Sequence, residues 1–598
     1  MALQLQEHRW PRSTARLLWI AALSLIVAAP AYSFQRAPAN AGSSRVTAAA
    51  DAAYRSGLAA AQQGDLQQAR HSFEEVVRLE PQVPEGHSAL GAVLLQLRLY
   101  PECIEQLRRA LALNGQDVTA KSNLAVAYFE SGKARESLLL FRELDNGDLA
   151  PDLEADYGRA LAISGELKDA ATHLQRAIDK RPEDASLHDA LGSVLAQQKA
   201  WPAAQQEFEQ ATRIDPRLVS AYLHLGLTLL EQDQPAAAAT ALEQGRAVDP
   251  HSLAVLLPLA RAYSLTGDYA TALPIAQQAA AADPQSANAK DAEATALQGL
   301  GRETEAIPLF QDVVAAEPHN AAALTNLALA LVQQGKAKEG IPLYLRALAE
   351  TPHSAVAHQD LGVAYLQQSD LNDAIREFET GLKISPDNQQ IHYNLGLAYK
   401  LKDDSAHAIP ELEKAAALDP TSPDPPYTLG ILYMQAGRFD DAVAQLKQGL
   451  ALRPENGDEW AILGSVYKQQ GKLPEATDAL RHAVDLLPAQ PGPHITLAGV
   501  LAEQGQHQEA AAERKKAAEL TRTAVNRQRA TFSTNTGNML MQKGQIADAV
   551  EHYQDAVASD PSFAEAHTAL ASALARQGRA AEAAVERKKA EELQQPRP

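Results

Sequence analysis

A single period runs through nearly the whole chain, and a period excludes most folds before any one residue is weighed. Repeat starts fall at residues 50, 84, 118, 151, 185, 219, 253, 287, 321, 355, 389, 423, 457, 491, 530 and 564. Thirteen of the fifteen steps are 34 residues, one is 33, and one, from 491 to 530, is 39. The eighth residue of every unit is Gly or Ala, from Gly57 and Gly91 through Ala125 to Ala571. The twentieth is Ala in thirteen units and Cys103, Ser137 or Gly340 in the other three. The thirty-second is Pro in twelve, from Pro81 to Pro561. A fixed period of this length means a stacked array of two-element units.

Each unit reads as two amphipathic helices. The first carries apolar residues at its seventh and eleventh positions, as in Leu361 and Tyr365 or Leu463 and Tyr467. A spacing of four puts both on one helical face. The small eighth residue lies between them and lets the second helix approach. That helix brings its own small residue at position twenty and a large one at twenty-four, such as Phe73, Phe208, Phe310 or Phe378. Gly at position fifteen (Gly64, Gly165, Gly301, Gly437) marks the turn between the two. The Pro at thirty-two stops the second helix, because it lacks an amide proton and clashes with the preceding turn. One such pair cannot bury its apolar face alone; stacking neighbours does it.

Small-8, Leu/Tyr-11, Ala-20, aromatic-24, Ala-27 and Pro-32 together resemble the tetratricopeptide repeat, over roughly residues 50–593. The resemblance departs locally. The family's Trp at position four occurs only at Trp460, and Glu293 and Thr536 stand where Leu is usual at position seven. It implies an all-α, right-handed superhelical solenoid of about sixteen helix-turn-helix units, with a concave groove lined by first helices. It implies no chemistry, since a fold does not specify a function.

The N-terminus differs in kind. Arg9, Arg12 and Arg16 precede the apolar run Leu17–Ala29, followed by Ala29-Pro30-Ala31. Basic, apolar, small is the order of a secretory signal, with cleavage expected before Tyr32. The run is short for a membrane span of about 20 residues, and an uncleaved anchor is the alternative reading. The expected organisation is a signal at 1–31, a flexible lead-in at 32–49, a main array at 50–520, an over-long helix or break at 521–529, two further units at 530–593, and a tail at 594–598. The chain is therefore expected in the periplasm or outside the cell.

No phosphate loop, zinc-type Cys pair, His-Glu-x-x-His helix or Gly-x-Ser-x-Gly elbow occurs, so no catalytic residue, cofactor or metal is expected. A formal charge of −20 argues against a general nucleic-acid binder. Cys103, the one cysteine, sits at a tight position and reads as buried. His87, His188, His358, His392, His494 and His567 all fall at position four and read as packing at the helix seam.

What remains is a binding surface. By the family geometry, position six faces the groove, and Asn123, Asn326, Asn394 and Asn535 occupy it. Stacked Asn side chains can pair with a peptide backbone, in the manner of the asparagine ladder in the superhelix of O-linked N-acetylglucosamine transferases. Here four of sixteen units conform. Phe129, Tyr393, Leu397, Tyr427, Ile431 and Met434 lie beside these positions. They read either as a wet groove for a partner helix or strand or as packing between repeats. The expected function is a non-enzymatic scaffold or adaptor for a protein or peptide partner; the alternative is a structural subunit of an envelope or polysaccharide-export assembly. A last feature is the long step after 491, where unit fourteen has Arg514 at position twenty-four and no closing Pro. Residues 507–529 are expected to form one over-long helix, with the last two units docked less tightly. Its Arg514, Lys515, Lys516, Arg522, Arg527 and Arg529 read as a solvated face or as a contact for an anionic surface.

Overall fold

The computed structural model describes residues 48–594. The signal, most of the lead-in and the last four residues lie outside this range. Among the described residues there are thirty-one helices and no strand, and the first helix begins at Ala48. First helices are mostly 13 residues long and second helices mostly 14, as in Gln389–Leu401 followed by Ser405–Leu418. The fold is an all-α solenoid of paired helices. The chain divides into two compact units, Met1–Glu350 and Thr351–Pro598, a boundary that the repeat pattern does not announce.

Within a repeat the lock is between positions eight and twenty-four. A Cβ on Gly362 would stand 2.5 Å from the ring of Phe378, and one on Gly192 would stand 2.6 Å from Phe208. Those large residues are the centres of the cores: Phe73, Phe141 and Leu174 in one cluster of the first unit, Leu412, Leu446 and Leu480 in one of the second. Position twenty closes the other side. Ser137 donates to the carbonyl of Ala125 at 2.8 Å, and Cys103 lies 3.2 Å from that of Gly91. Burial pushes the Cys103 thiol up to about 12, so it is an inert packing residue.

Between repeats the seam is made by position twenty-seven against position three of the next unit. A Cβ on Gly381 would meet Ile391 at 3.0 Å, and one on Gly245 would meet Val255 at 3.6 Å. The turn inside each unit depends on position fifteen. All sixteen residues there have positive φ, eleven as Gly and five as Arg98, Lys199, Asp233, Ser369 and Asp403, with φ of 58–62°. The glycine reading of this turn thus extends to five residues that carry a Cβ in the left-handed region.

One element breaks the pattern. A single helix runs His507–Gln542, 36 residues, with no stop between the second helix of unit fourteen and the first helix of unit fifteen. It reaches thirteen residues past the expected end at 529, because the segment offers nothing to end a helix: Arg522 stands where twelve other units have Pro, and the first Gly is Gly537.

Candidate partner-binding face

In three repeats position six serves the seam with the repeat before. In the first unit, Asn326 Nδ2 donates to Asp291 Oδ1 at 3.1 Å, linking position six of one repeat to position five of the repeat before it. His224 and Asp189 make the same link at 2.7 Å. In the second unit the Tyr393 and Thr428 side chains repeat it. Asn326 and Asn394 are buried, and Asn394 Oδ1 accepts from Gln390 Nε2 of its own helix. Asn123 is buried too, with its Nδ2 lacking a hydrogen-bond partner among the described residues. Asn535 is exposed, on the long helix.

The aromatic and aliphatic neighbours are half-buried. Phe129 packs on a core cluster of the first unit. Tyr393, Tyr427 and Met434 pack on one cluster of the second, so the structure brings these three together and leaves Asn123, Phe129 and Asn326 elsewhere. Burial raises the hydroxyls of Tyr393 and Tyr427 above the ordinary tyrosine range. Leu397 and Ile431 hold equivalent places in successive repeats.

One residue of this face escaped the sequence reading. Leu401, one helical turn beyond Leu397, is 63% exposed. The signal was available, as an apolar side chain at the end of a first helix where polar residues are usual. Two buried carboxyls were also missed. Asp291 is raised by burial to about 7, with Asn326 opposing the shift. Glu459 is likewise raised by burial to about 7, with Arg453 and Asn456 opposing it. Gly449 makes room for the Glu459 carboxylate, which is why a charged group fits at position three.

The position-four histidines are bonded as well as packed. His392 pairs with Glu411 through Nδ1 at 2.6 Å and donates from Nε2 to the carbonyl of Pro386 at 2.8 Å. His188, His358 and His567 repeat both bonds with their own Glu and Pro. Trp460 donates its indole N–H to the carbonyl of Pro454 at 2.8 Å. Imidazole therefore replaces indole by supplying the same donor to the turn proline of the preceding repeat. Among the described residues no three His, Cys, Asp or Glu are placed to hold a metal ion, and no helix is long and apolar enough to cross a membrane.

Of the basic residues on the long helix, all six are exposed, and Arg527 is engaged. It pairs with Asp560 and lies 4.7 Å over the ring of Phe563.

Tetratricopeptide-repeat profiles match residues 54–102, 89–153, 156–218, 229–296 and 537–578. The profile of the cilia and flagella-associated protein 70 C-terminal domain matches residues 292–534. A 132-residue stretch is 35% identical to cellulose synthase operon protein C of Xanthomonas axonopodis pv. citri (strain 306), covering 20% of this chain and 9% of that protein. The chain thus spans about a tenth of this relative's length. Among solved structures, an APC/C hetero-tetramer is similar with a TM-score of 0.38 and 15% identity, over 76% of this chain and 97% of the matched one. MamA is similar with a TM-score of 0.27 and 27% identity, over 27% and 94%. YrrB, described as a TPR protein with an unusual peptide-binding site, is similar with a TM-score of 0.28 and 21% identity, over 31% and 95%.

Proposed function

Because the chain belongs to the tetratricopeptide-repeat superfamily, we propose that it is a non-enzymatic scaffold that holds a protein or peptide partner on the first-helix face of its second unit. The repeat fold is typical of protein-protein interaction scaffolds. The observation that carries the finer reading is Leu401, a large apolar side chain 63% exposed on the same helical face as Leu397. Ile431 and Met434 extend this apolar strip in the next repeat, half-buried over the core. Since Asn123, Asn326 and Asn394 are buried and form no exposed ladder, the face favours an apolar helix laid in a groove over an extended peptide held by its backbone.

The test uses a photo-crosslinking residue at position 401 to capture the partner in its native compartment, followed by titration of that partner. Loss of an apolar anchor at an interface typically costs about 2 kcal/mol. Leu401→Asp should weaken binding tenfold or more with unfolding unchanged. Unchanged affinity removes this face from the proposal. Tyr393→Ala with Tyr427→Ala is the weaker probe, since both rings also pack on the core.

The chain is proposed to act outside the cytoplasm, on the strength of Arg9, Arg12 and Arg16 ahead of Leu17–Ala29. Intact mass of the natively exported protein should place its first residue at or near Tyr32, and a full-length cytosolic product would overturn this. A second reading, a structural subunit of an envelope or polysaccharide-export assembly, is favoured by the 35% identity over 132 residues to cellulose synthase operon protein C. Co-purification with an envelope complex, undiminished by Leu401→Asp, would select that reading. A contact of the basic helix face with an anionic surface remains a further proposal, testable with vesicles containing phosphatidylglycerol; Arg514, Lys515, Lys516, Arg522 and Arg529 would carry it.

A further inference from the structure

Across the regular repeats of the second unit, positions three and ten of the first helix are covered by the second helix before it. Ile391, Glu459 and Ala566 at position three are fully buried, and so are Ala398, Val466, Val500 and Ala573 at position ten. In unit fifteen the same two positions are Phe532 and Met539, exposed by 73% and 55%. They are larger and more apolar than most of their counterparts, yet nothing among the described residues covers them. The cause is the continuous His507–Gln542 helix. Ala517 is the position-twenty-seven residue that should meet Phe532, but the two are fifteen residues apart on one rod, about 22 Å at 1.5 Å per residue.

The other half of the seam is open as well. Beside unit fourteen lies a groove of 620 Å³ lined by Ile495, Gly499, Ala517, Ala518, Thr521 and Val525, with Arg514 and Arg522 at its sides. This is the seat that a following first helix takes elsewhere. Its equivalent in unit sixteen is lined by Ser572, Arg576, Arg587 and Glu591, which solvate it. The unit-fourteen seat is apolar, with Ile495 57% and Val525 49% exposed.

Val525, Phe532 and Met539 recur every seven residues, so the seat and the uncovered face look out from the same side of the rod. Arg527, two residues from Val525 and so about 200° round the helix, is engaged on the far side with Asp560 and Phe563. Each half of the rod therefore lacks the partner that the other half would provide, and one straight rod cannot provide it to itself.

We propose that the His507–Gln542 helix is a self-association element, in which two copies of this chain pair antiparallel along it. Phe532 and Met539 of each copy take the unit-fourteen seat of the other. The contact continues in trans the interface that joins every regular pair of repeats, in which successive helices also run antiparallel. Ala517 of one copy then meets Phe532 of the second copy, as Gly381 meets Ile391. A rod of 36 residues is about 54 Å long, and two such rods paired side by side bury on the order of 1,500 Å², enough for a standard interface. Folding back within one chain would require breaking a helix that holds no Gly or Pro from His507 to Thr536. Arg522 and Arg529 of both copies approach near the crossing point, so salt should tighten the pair by screening their repulsion.

The experiment uses the full chain with Cys103→Ser, Ala517→Cys and Phe532→Cys under mild oxidation. A covalent dimer, abolished when either new cysteine is left out, is the expected result. An intrachain disulfide would overturn the proposal in favour of a folded-back hairpin. No disulfide of either kind, together with a monomer of the parent chain in sedimentation, would overturn it outright. In parallel, sedimentation velocity of the chain without cysteine substitutions should show a dimer that strengthens between 50 and 500 mM NaCl. Phe532→Asp with Met539→Asp should abolish that dimer with the helical signal and thermal midpoint kept. A monomer at every salt concentration, or a dimer indifferent to Phe532→Asp, would refute the pairing. Association that weakens with salt would point instead to an acidic occupant.

Discussion

Two seams of the second unit obey the same packing rule and end differently. At the regular seam, Gly381 of one helix lies against Ile391 of the next, and His392 ties its repeat to the carbonyl of Pro386. At the seam between units fourteen and fifteen, Ala517 and Phe532 stand in the corresponding positions and never meet, because their helices are one. The difference comes from punctuation and not from the face residues. Pro386 ends one helix and opens the next repeat, whereas Arg522 lets the helix run on. An array of this kind is thus held together by apolar faces but divided into units by the residues that stop helices.

The sharpest way to test the comparison is to remove a large side chain from each seam. Phe378→Ala empties a fully buried site under Gly362 and should cost about 3–5 kcal/mol, read as lowered protection in hydrogen exchange across residues 355–384. Phe532→Ala, read below the concentration at which copies pair, should change stability by less than about 0.5 kcal/mol. Equal losses would mean that Phe532 is covered in solution even in the monomer.

The punctuation can be restored. Arg522→Pro should cost the long helix about 3 kcal/mol. It should also let unit fifteen settle on unit fourteen within one chain. The Ala517→Cys/Phe532→Cys pair would then close as an intrachain disulfide where the parent closes between chains. A long helix that persists in Arg522→Pro, seen by exchange protection through residues 515–530, would break the explanation.

Buried acids mark regular seams and are absent from the long helix, which makes pH a third probe. Burial holds the folded-state carboxyl of Asp291 at about 7, above its ordinary value of 3.8. The folded state therefore keeps a proton that the unfolded chain releases, and stability contributed there falls as pH rises from about 4 to about 7. Asp291→Asn should flatten this dependence locally, an effect of up to about 3 kcal/mol between pH 4.5 and 7.5. Exchange protection around residues 287–333 measured at pH 4.5 and 7.5 decides it. Pairing of the long helices should not follow the same curve.

The smallest effect concerns the turns. Ser369 holds φ of 62° where eleven other repeats have Gly. Ser369→Gly should stabilise that turn by about 0.5–1 kcal/mol by relieving a left-handed Cβ conformation. A loss of stability would mean that the Ser side chain contributes more than its backbone strain costs.

Much of the architecture was legible as text. The small eighth residues, the large twenty-fourth ones and the turn prolines report on contacts within one repeat, or between a repeat and its neighbour, and such contacts recur at a constant offset. The candidate face was less legible. Asn326 and Asn394 were placed by family geometry toward a groove, and both are buried, Asn326 because position six of its repeat reaches position five of the last. A period reveals that a position is constrained, but not whether its neighbour is another repeat or a ligand. Leu401 was overlooked for the opposite reason, since it departs from an offset where most repeats carry Gln or Glu, and a search for what recurs passes over a departure.

The repeat spacing determined by itself that this chain is an all-α array, where its helices turn, and that its step of 39 residues is anomalous. A helix over 507–529 was already expected from the missing proline. That it runs on without a break to Gln542, held by the packing of Arg527 on Asp560 and Phe563, was decided only in three dimensions. The exposure of Phe532 and Met539 follows from that rod. Burial is a property of what stands beside a side chain, and a sequence records only what stands before and after it.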